Sequence, residues 1–146
     1  MNKLLSPAKT EVLFMGNEAI ARGALEAGVS VIAGYPGTPS SEVIERLSGV
    51  ARERNLYVEW STNEKVALEV AAAASFAGLR SMCVMKQNGV NVASDFLLHL
   101  ASSGTRGGIV LVECEDPGAL SSVNEGESRY FARTLEIPLL EPASFQ

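Results

Sequence analysis

The sequence predicts an α/β domain of three layers (α/β/α), in which helices cover both faces of a mostly parallel sheet of about six strands. Short apolar runs alternate along the chain with helical stretches, a pattern that is typical of βαβ units. The run from Ile109 to Val112 is apolar without a break, as in strands that are buried on both faces. Right-handed crossovers then place helices on both sides of the sheet. With 146 residues, we expect a single domain over residues 1–146.

The apolar runs and the residues that interrupt them define the predicted elements. Strands are predicted at residues 11–15, 29–33, 56–60, 81–85, 108–114 and 138–140. Helices are predicted at residues 18–27, 41–54, 63–77, 91–102 and 125–135. Asn17 and Asn91 are predicted to cap helices, because short polar side chains accept hydrogen bonds from free backbone N–H groups. Ser61 or Thr62 is predicted to cap the third helix in the same way, and Gly28 ends the first one.

Composition and charge exclude several classes of protein. Apolar residues make up 47% of the chain and charged residues 20%, as in ordinary globular domains. The net charge of -5 offers no basic face for nucleic acid. No apolar run approaches the roughly 20 residues of a membrane span, and the amino-terminal residues are too weakly apolar for a secretory signal. We therefore expect a cytoplasmic protein with neither nucleic acid nor membrane as a partner.

The cysteines and the histidine predict no metal site. Cys83 and Cys114 lie in apolar runs that are predicted as strands, where cysteine is a small core residue. The sequence has no Cys-x-x-Cys pair, so we expect this chain to hold neither an iron–sulfur cluster nor a structural zinc by itself. The single histidine, His99, cannot build a multi-histidine site.

Three predicted loops follow the carboxyl ends of strands, where open α/β sheets bind their ligands. Residues 35–41 and residues 86–91 also have structural interpretations, the first as a stiff turn with an N-cap serine and the second as a polar turn. The third loop ends at Glu64, which would favour the dipole of the helix it opens. That helix is small and apolar almost all round, so this carboxylate is expected to be poorly solvated. The sequence contains no phosphate-binding loop, dinucleotide fingerprint or nucleophile elbow.

These segments together resemble one family. Residues 16–25, 34–42 and 63–71 are similar in sequence, order and spacing to the start of the large subunit of indolepyruvate:ferredoxin oxidoreductase. Downstream, Asp116-Pro117-Gly118 and residues 137–142 resemble it too. The Tyr-Pro-x-Thr-Pro-Ser-Ser loop is shared across the 2-oxoacid:ferredoxin oxidoreductases. The chain therefore resembles their amino-terminal pyrimidine-binding domain.

The resemblance implies a cofactor, thiamine diphosphate, which binds between this domain and a partner domain that holds the diphosphate through Mg²⁺. It implies that Glu64 is catalytic, because its carboxyl hydrogen-bonds the ring nitrogen N1′ and favours the imino form at the 4′ nitrogen, which removes the C2 proton of the thiazolium. Gln87 and Asn88 stand where the family has a histidine and an apolar residue, on the substrate side of the pocket. The residues implied to bind the cofactor are Tyr35, Pro36, Gly37, Thr38, Pro39, Glu64, Gln87, Asn88 and Asn91.

The resemblance also implies the reaction and the partners. An aryl pyruvate, indolepyruvate, is decarboxylated oxidatively to the acyl-CoA while ferredoxin is reduced. The diphosphate-binding domain or subunit, Mg²⁺, the [4Fe-4S] clusters and the coenzyme A site are expected elsewhere in a homo- or hetero-oligomer, so the isolated chain is expected to be inactive. The chain stops shortly after its last predicted strand, so we expect either a domain shortened at its carboxyl end or one piece of a larger enzyme.

Two other functions stay open at this point. A stand-alone pyrimidine-type domain acts as a binding or assembly module without catalysis. The intact Thr38 and Glu64 speak against decay of the site, but not against such a regulatory role. A flavodoxin-like nucleotide binder fits the predicted fold, although no phosphate loop supports it.

Overall fold

The computed structural model describes residues 2–144, which form one parallel sheet of four strands with helices on both of its faces. The strands are β1 (Val31–Gly34), β2 (Tyr57–Trp60), β3 (Ser81–Lys86) and β4 (Ile109–Cys114). The helices are α1 (Gly16–Glu26), α2 (Ser41–Ser48), α3 (Ala51–Arg54), α4 (Glu64–Phe76), α5 (Gln87–Ser103) and α6 (Arg129–Leu135). Short 3-10 helices cover Lys3–Leu5 and Pro117–Ala119. No helix in residues 2–144 is both long and apolar enough to cross a membrane.

The strand order is β2-β1-β3-β4, and each neighbouring pair is parallel. The register places Val31 of β1 opposite Tyr57 of β2 and Ser81 of β3. From β1 the chain moves outward to β2 through α2 and α3, and α4 then carries it back across β1 to β3. α5 connects β3 to β4. The outward step uses helices on one face and the return uses helices on the other, as expected for parallel strands whose crossovers share one hand.

Two apolar cores, one on each face of the sheet, confirm the three-layer prediction. Side chains alternate across a strand, so in β3 Met82 and Val84 enter the first core, whereas Cys83 and Met85 enter the second. α1 and α2 close the first core, and α4 and α5 close the second. The small side chains of α4 let this helix pack closely on the sheet and on α5. The fully buried residues of α4 are Ala67, Leu68, Ala71, Ala72 and Ser75.

The prediction of about six strands is wrong, because two of the predicted strands find no partner within residues 2–144. Residues 11–15 alternate in burial, with Leu13 91% exposed, but they pair with no strand. The N–H of Met15 instead donates to the Glu18 carboxylate at 3.0 Å, a contact at the start of α1. Residues 138–140 are not a strand either, since Pro138 has no N–H to give to a ladder and Leu140 is 88% exposed.

Several helix ends also differ from the prediction. α1 begins one residue before Asn17, so the Asn17 side chain does not cap it. α4 is capped by Asn63, whose side chain accepts a first-turn N–H at 3.0 Å, and not by Ser61 or Thr62. α5 begins directly after β3, so Asn91 lies inside the helix. The predicted helix at residues 41–54 is divided into α2 and α3.

Candidate functional site

The sheet has a topological switch point between β1 and β3. These strands are neighbours, yet the chain leaves β1 for α2 on the first face and leaves β3 for α5 on the second. The segments that follow the two strands therefore diverge and leave a crevice at the carboxyl ends of the strands, the usual position of a ligand in an open α/β sheet. Two of the three predicted loops, residues 35–41 and residues 86–91, meet at this crevice.

The loop of residues 35–41 is held in place by hydrogen bonds around Gly37. The Gly37 carbonyl accepts the N–H of Ser40 at 2.8 Å and its hydroxyl at 2.7 Å, and it also accepts the N–H of Ser41 at 3.2 Å. The Gly37 N–H donates to the Ser41 hydroxyl at 2.9 Å. Asn17 of α1 donates to the Pro39 carbonyl at 2.7 Å. The loop is thus fixed both internally and to the first layer of helices.

The same loop exposes Tyr35, Pro36 and Thr38 to solvent, and its Thr38–Pro39 peptide bond is cis. On its other side, Gly37 lies against Lys86 at the end of β3. A Cβ at this glycine would lie 2.8 Å from Lys86 Cδ. Because carbon atoms in contact are about 3.5 to 4.0 Å apart, glycine allows the loop to approach β3 this closely.

Glu64 is the first residue of α4 and lies against the first turn of α5. A Cβ at Gly89 would lie 2.6 Å from Glu64 Cγ and 2.9 Å from Glu64 Oε1. The half-buried carboxylate therefore rests on the backbone of α5, at the amino-terminal turns of two helices whose dipoles favour a negative charge. The negative charge of Glu64 also acts on the thiol of Cys83. Burial first, and then the Glu64 carboxylate, raise the pKa of Cys83 to about 12.

Gln87 and Asn88 start α5 instead of forming the predicted polar turn. Gln87 is 3% exposed, and its Nε2 donates to the Ser122 hydroxyl at 3.2 Å. Asn88 donates to the side chain of Asn124 at 2.9 Å. Gln87 Oε1 and Asn88 Oδ1 are buried and have no hydrogen-bond partner within residues 2–144. Two acceptor oxygens thus stay unused at the start of α5.

The faces of α5 separate the predicted site residues into two groups. Gln87 and Asn91 are four residues apart and share a face, whereas Gly89 lies about 200° round the helix from Gln87. The exposed Asn91 accepts the hydroxyl of a tyrosine in α6 at 3.3 Å. Gln87 and Asn91 line a cleft of about 210 Å³ beside α6. Glu64 instead meets the Gly89 side of the helix.

Three charged residues near the crevice were not predicted as site residues. Lys86 donates to the carbonyl of Ser121 at 2.9 Å. Asp116 is buried, and hydrogen bonds from the hydroxyl of Ser122 and the N–H of Ser121, each 2.7 Å long, hold its pKa below the usual range. Burial raises the pKa of Glu113 to about 7, and its Oε1 has no partner within residues 2–144. A charged residue inside the apolar run of β4 was the sequence signal for Glu113.

Comparisons with known proteins agree on one family. Residues 22–146 match the family described as "Pyruvate flavodoxin/ferredoxin oxidoreductase, thiamine diP-bdg". The chain is 50% identical to the indolepyruvate oxidoreductase subunit IorA of Archaeoglobus fulgidus, with 100% of this chain and 24% of that protein covered. It is 33% identical to the 2-oxoglutarate synthase subunit KorA of Methanothermobacter thermautotrophicus, with 73% of this chain and 28% of that protein covered. The chain therefore spans about a quarter of the length of these relatives.

A solved structure supports the fold. The 2-oxoglutarate:ferredoxin oxidoreductase from Magnetococcus marinus aligns with a TM-score of 0.65 at 24% sequence identity, covering 73% of this chain and 18% of that one. At this identity the likeness establishes the α/β fold with its parallel sheet. Since the match over residues 22–146 takes in most of the chain, the protein belongs to the family of thiamine-diphosphate-binding domains of the pyruvate flavodoxin/ferredoxin oxidoreductases.

Proposed function

We propose that this chain is the pyrimidine-binding part, one domain over residues 1–146, of a thiamine-diphosphate-dependent 2-oxoacid:ferredoxin oxidoreductase. The substrate is an aryl pyruvate, indolepyruvate, which is converted to its acyl-CoA with release of carbon dioxide and reduction of ferredoxin. The position of Glu64 carries the proposal, because its carboxylate lies on the backbone of Gly89 at the edge of the sheet where ligands bind. The 50% identity to IorA subunits from two organisms favours indolepyruvate as the substrate.

The polar groups around the crevice fit the aminopyrimidine ring of thiamine diphosphate. Such a ring needs a carboxyl that shares a proton with a ring nitrogen, and acceptors for its amino group. Glu64 supplies the carboxyl, and the unused oxygen of Asn88 supplies an acceptor. A buried acceptor without a partner costs about 1 to 3 kcal/mol, so a ligand that donates there is stabilised. The other residues proposed to bind the cofactor are Tyr35, Pro36, Gly37, Thr38, Pro39, Gln87 and Asn91.

Glu64 handles the proton in this mechanism. Thiamine diphosphate, when bound, supplies the carbon that attacks the keto group of the 2-oxoacid and accepts the electron pair that is left when carbon dioxide departs. Glu64 shares the proton of the ring nitrogen from its place at the amino-terminal turns of two helices. The backbone at Gly89 holds this carboxylate in place before a ligand arrives, so no binding energy is needed to orient it.

The rest of the enzyme supplies what this chain lacks. Because the chain spans 24% of its Archaeoglobus relative, we assign the diphosphate site with its Mg²⁺, the [4Fe-4S] clusters and the coenzyme A and ferredoxin sites to other domains or subunits. Among residues 2–144 no three His, Cys, Asp or Glu side chains are grouped for a metal ion. A cofactor held at both ends needs the diphosphate-binding partner beside this domain, so we propose a homo- or hetero-oligomer in the cytoplasm.

The substitution Glu64→Gln in the complete enzyme tests the proposal. Glutamine keeps the size of the side chain but cannot share the ring proton in the same way. We expect turnover of the 2-oxoacid to fall about 10²- to 10⁴-fold, the range for loss of a general acid–base group, while the thermal unfolding midpoint stays unchanged. Calorimetry should show a smaller loss in the affinity for thiamine diphosphate, since the diphosphate contacts are intact.

Glu69→Gln is the matched control for this experiment. Glu69 lies in the same helix, about 140° round from Glu64, and we expect its substitution to leave turnover and cofactor affinity unchanged. Full activity of the Glu64→Gln enzyme would refute the role of Glu64. Failure of the complete native enzyme to bind thiamine diphosphate would refute the proposed function.

A further inference from the structure

Lys86 places a cation at the crevice that the proposed mechanism has not yet used. It is the last residue of β3, beside the switch point, and its side-chain stem lies against Gly37 of the loop that follows β1. Three residues later, Gly89 contacts Glu64. The lysine, the loop and the carboxylate are therefore brought to the same edge of the sheet.

The ammonium of Lys86 has unused donors. An ammonium has three N–H donors, and Lys86 Nζ gives one of them to a neutral acceptor, the Ser121 carbonyl at 2.9 Å. Within residues 2–144 it forms no ion pair. The charge of Lys86 helps to lower the pKa of Asp116, but that carboxylate is already bonded to an N–H and a hydroxyl of the following segment.

Other cations that follow the strand ends are paired with carboxylates, unlike Lys86. Lys65, in the first turn of α4, is paired with Asp95 at 2.6 Å. Arg129, at the start of α6, is paired with two glutamates at 2.5 Å. Their charges are thus neutralised by the protein, whereas the charge of Lys86 is left for a ligand.

We infer that the Lys86 ammonium binds the carboxylate of the 2-oxoacid substrate. The inference rests on the proposed function, because every 2-oxoacid carries a carboxylate next to the keto carbon that reacts. Charge-assisted hydrogen bonds between ammonium and carboxylate are about twice as strong as neutral ones. The same contact would orient the keto carbon, since the two groups are directly bonded in the substrate.

The contact should act on substrate binding and not on the chemical step. The carboxylate is fully charged in the enzyme–substrate complex, and it loses its charge as the bond to the keto carbon breaks and carbon dioxide leaves. The attraction to Lys86 therefore does not grow on the way to the transition state. Removing such an interaction raises KM and does not lower kcat. This kinetic effect distinguishes a lysine that binds the substrate from one that only stabilises the fold.

Lys86→Met in the complete enzyme removes the charge and keeps an unbranched stem against Gly37. From the strength of a hydrogen bond to a charged group, we expect KM for indolepyruvate to rise about 10- to 100-fold, with kcat not reduced. The methyl ester of the same 2-oxoacid has no carboxylate charge. Its inhibition constant as a competitive inhibitor should therefore be the same for the native enzyme and for Lys86→Met. Lys86→Arg keeps the charge and should recover most of the affinity.

Lys65→Met is the matched control, since it removes a lysine from the same edge of the sheet whose charge is already paired. It should leave KM unchanged. Equal weakening for the acid and the ester in Lys86→Met would show that the lysine only supports the loop, and it would overturn the inference. So would an unchanged KM, or a lower kcat at unchanged KM. An active native enzyme with any of these results refutes this inference alone, whereas a native enzyme that turns over no 2-oxoacid refutes the proposed function as well.

Discussion

Replacing Gly89 by alanine tests whether the backbone of α5 sets the position of Glu64. A Cβ at residue 89 would lie 2.6 Å from Glu64 Cγ and 3.1 Å from its Cδ. Because carbon atoms in contact are about 3.5 to 4.0 Å apart, the Glu64 side chain has to move by roughly 1 Å. A displacement of this size costs about 100-fold in rate, so we expect turnover of the complete enzyme to fall by about that factor.

The same substitution should change stability little. Alanine is favoured over glycine inside a helix by about 0.5 to 1 kcal/mol. Moving the Glu64 side chain off its rotamer costs about 0.5 to 1.5 kcal/mol, so the two effects nearly cancel. Gly23→Ala in α1 is the matched control, because its added Cβ would have no atom within 4 Å apart from the adjoining residues and the backbone of its own helix. It should keep full turnover and gain about 0.5 to 1 kcal/mol.

Steady-state turnover and urea unfolding separate these effects. The double variant Glu64→Gln with Gly89→Ala should be no slower than Glu64→Gln alone, because both changes act through one carboxyl group. If Gly89→Ala keeps more than about half of the native turnover, the backbone at Gly89 does not set the position of the carboxylate. A large loss of stability would contradict the reasoning too, since it would make Gly89 a residue of the fold and not of the site.

Two further substitutions test other contacts. Asn17→Ala removes hydrogen bonds to the Pro39 carbonyl and the Glu42 carboxylate, each 2.7 Å long, and should destabilise the chain by about 1 to 3 kcal/mol in urea unfolding; an unchanged unfolding curve would mean that other contacts hold the loop. Burial raises the pKa of Glu113 from 4.5 to about 7, so the stability that this group contributes is present below pH 4.5 and is lost as the pH rises to about 7. Glu113→Gln should therefore be more stable than the native chain by about 1 to 2 kcal/mol at pH 8, after allowance for the partial exposure of the carboxyl, and no different near pH 4. A stability difference that does not vary with pH would contradict the burial of Glu113 as its cause.

The three layers could be predicted because burial leaves a local pattern. The apolar run of β3 follows from its two buried faces, and the alanine-rich α4 is apolar all round because it packs on the sheet and on α5. The run from Ile109 to Val112 was expected to be buried on both faces, but it lies in the edge strand β4, where Val110 is 55% exposed. The number of strands could not be predicted in the same way. Residues 11–15 have the alternation of a half-buried strand, but whether a neighbouring strand is available depends on distant parts of the chain.

The candidate site was predicted in part. The place of Glu64, after a strand and before a buried helix, could be predicted from the pattern of the sequence, but the role expected for it comes from the resemblance to the oxidoreductase family. The start of α5 could not be predicted, because a Gln-Asn-Gly sequence favours a turn. In the folded chain, Gln87 and Asn88 are instead held by Ser122 and Asn124, more than thirty residues away. Tertiary contacts of this kind override local preference and leave no sign near the residues that they move.

Two glycines explain how the crevice holds its charged side chains in place. At Gly37 the backbone lies directly on Lys86, and at Gly89 it lies directly on Glu64. Contact with the backbone restricts the rotamers of a side chain before a ligand binds, so the side chain loses less conformational entropy on binding. A larger residue at either position would displace the charged group or fill part of the crevice. The cation proposed for the substrate and the carboxylate proposed for the cofactor are therefore both positioned by a backbone that is distant in sequence, and the variants at Lys86 and Gly89 test the two halves of this arrangement independently.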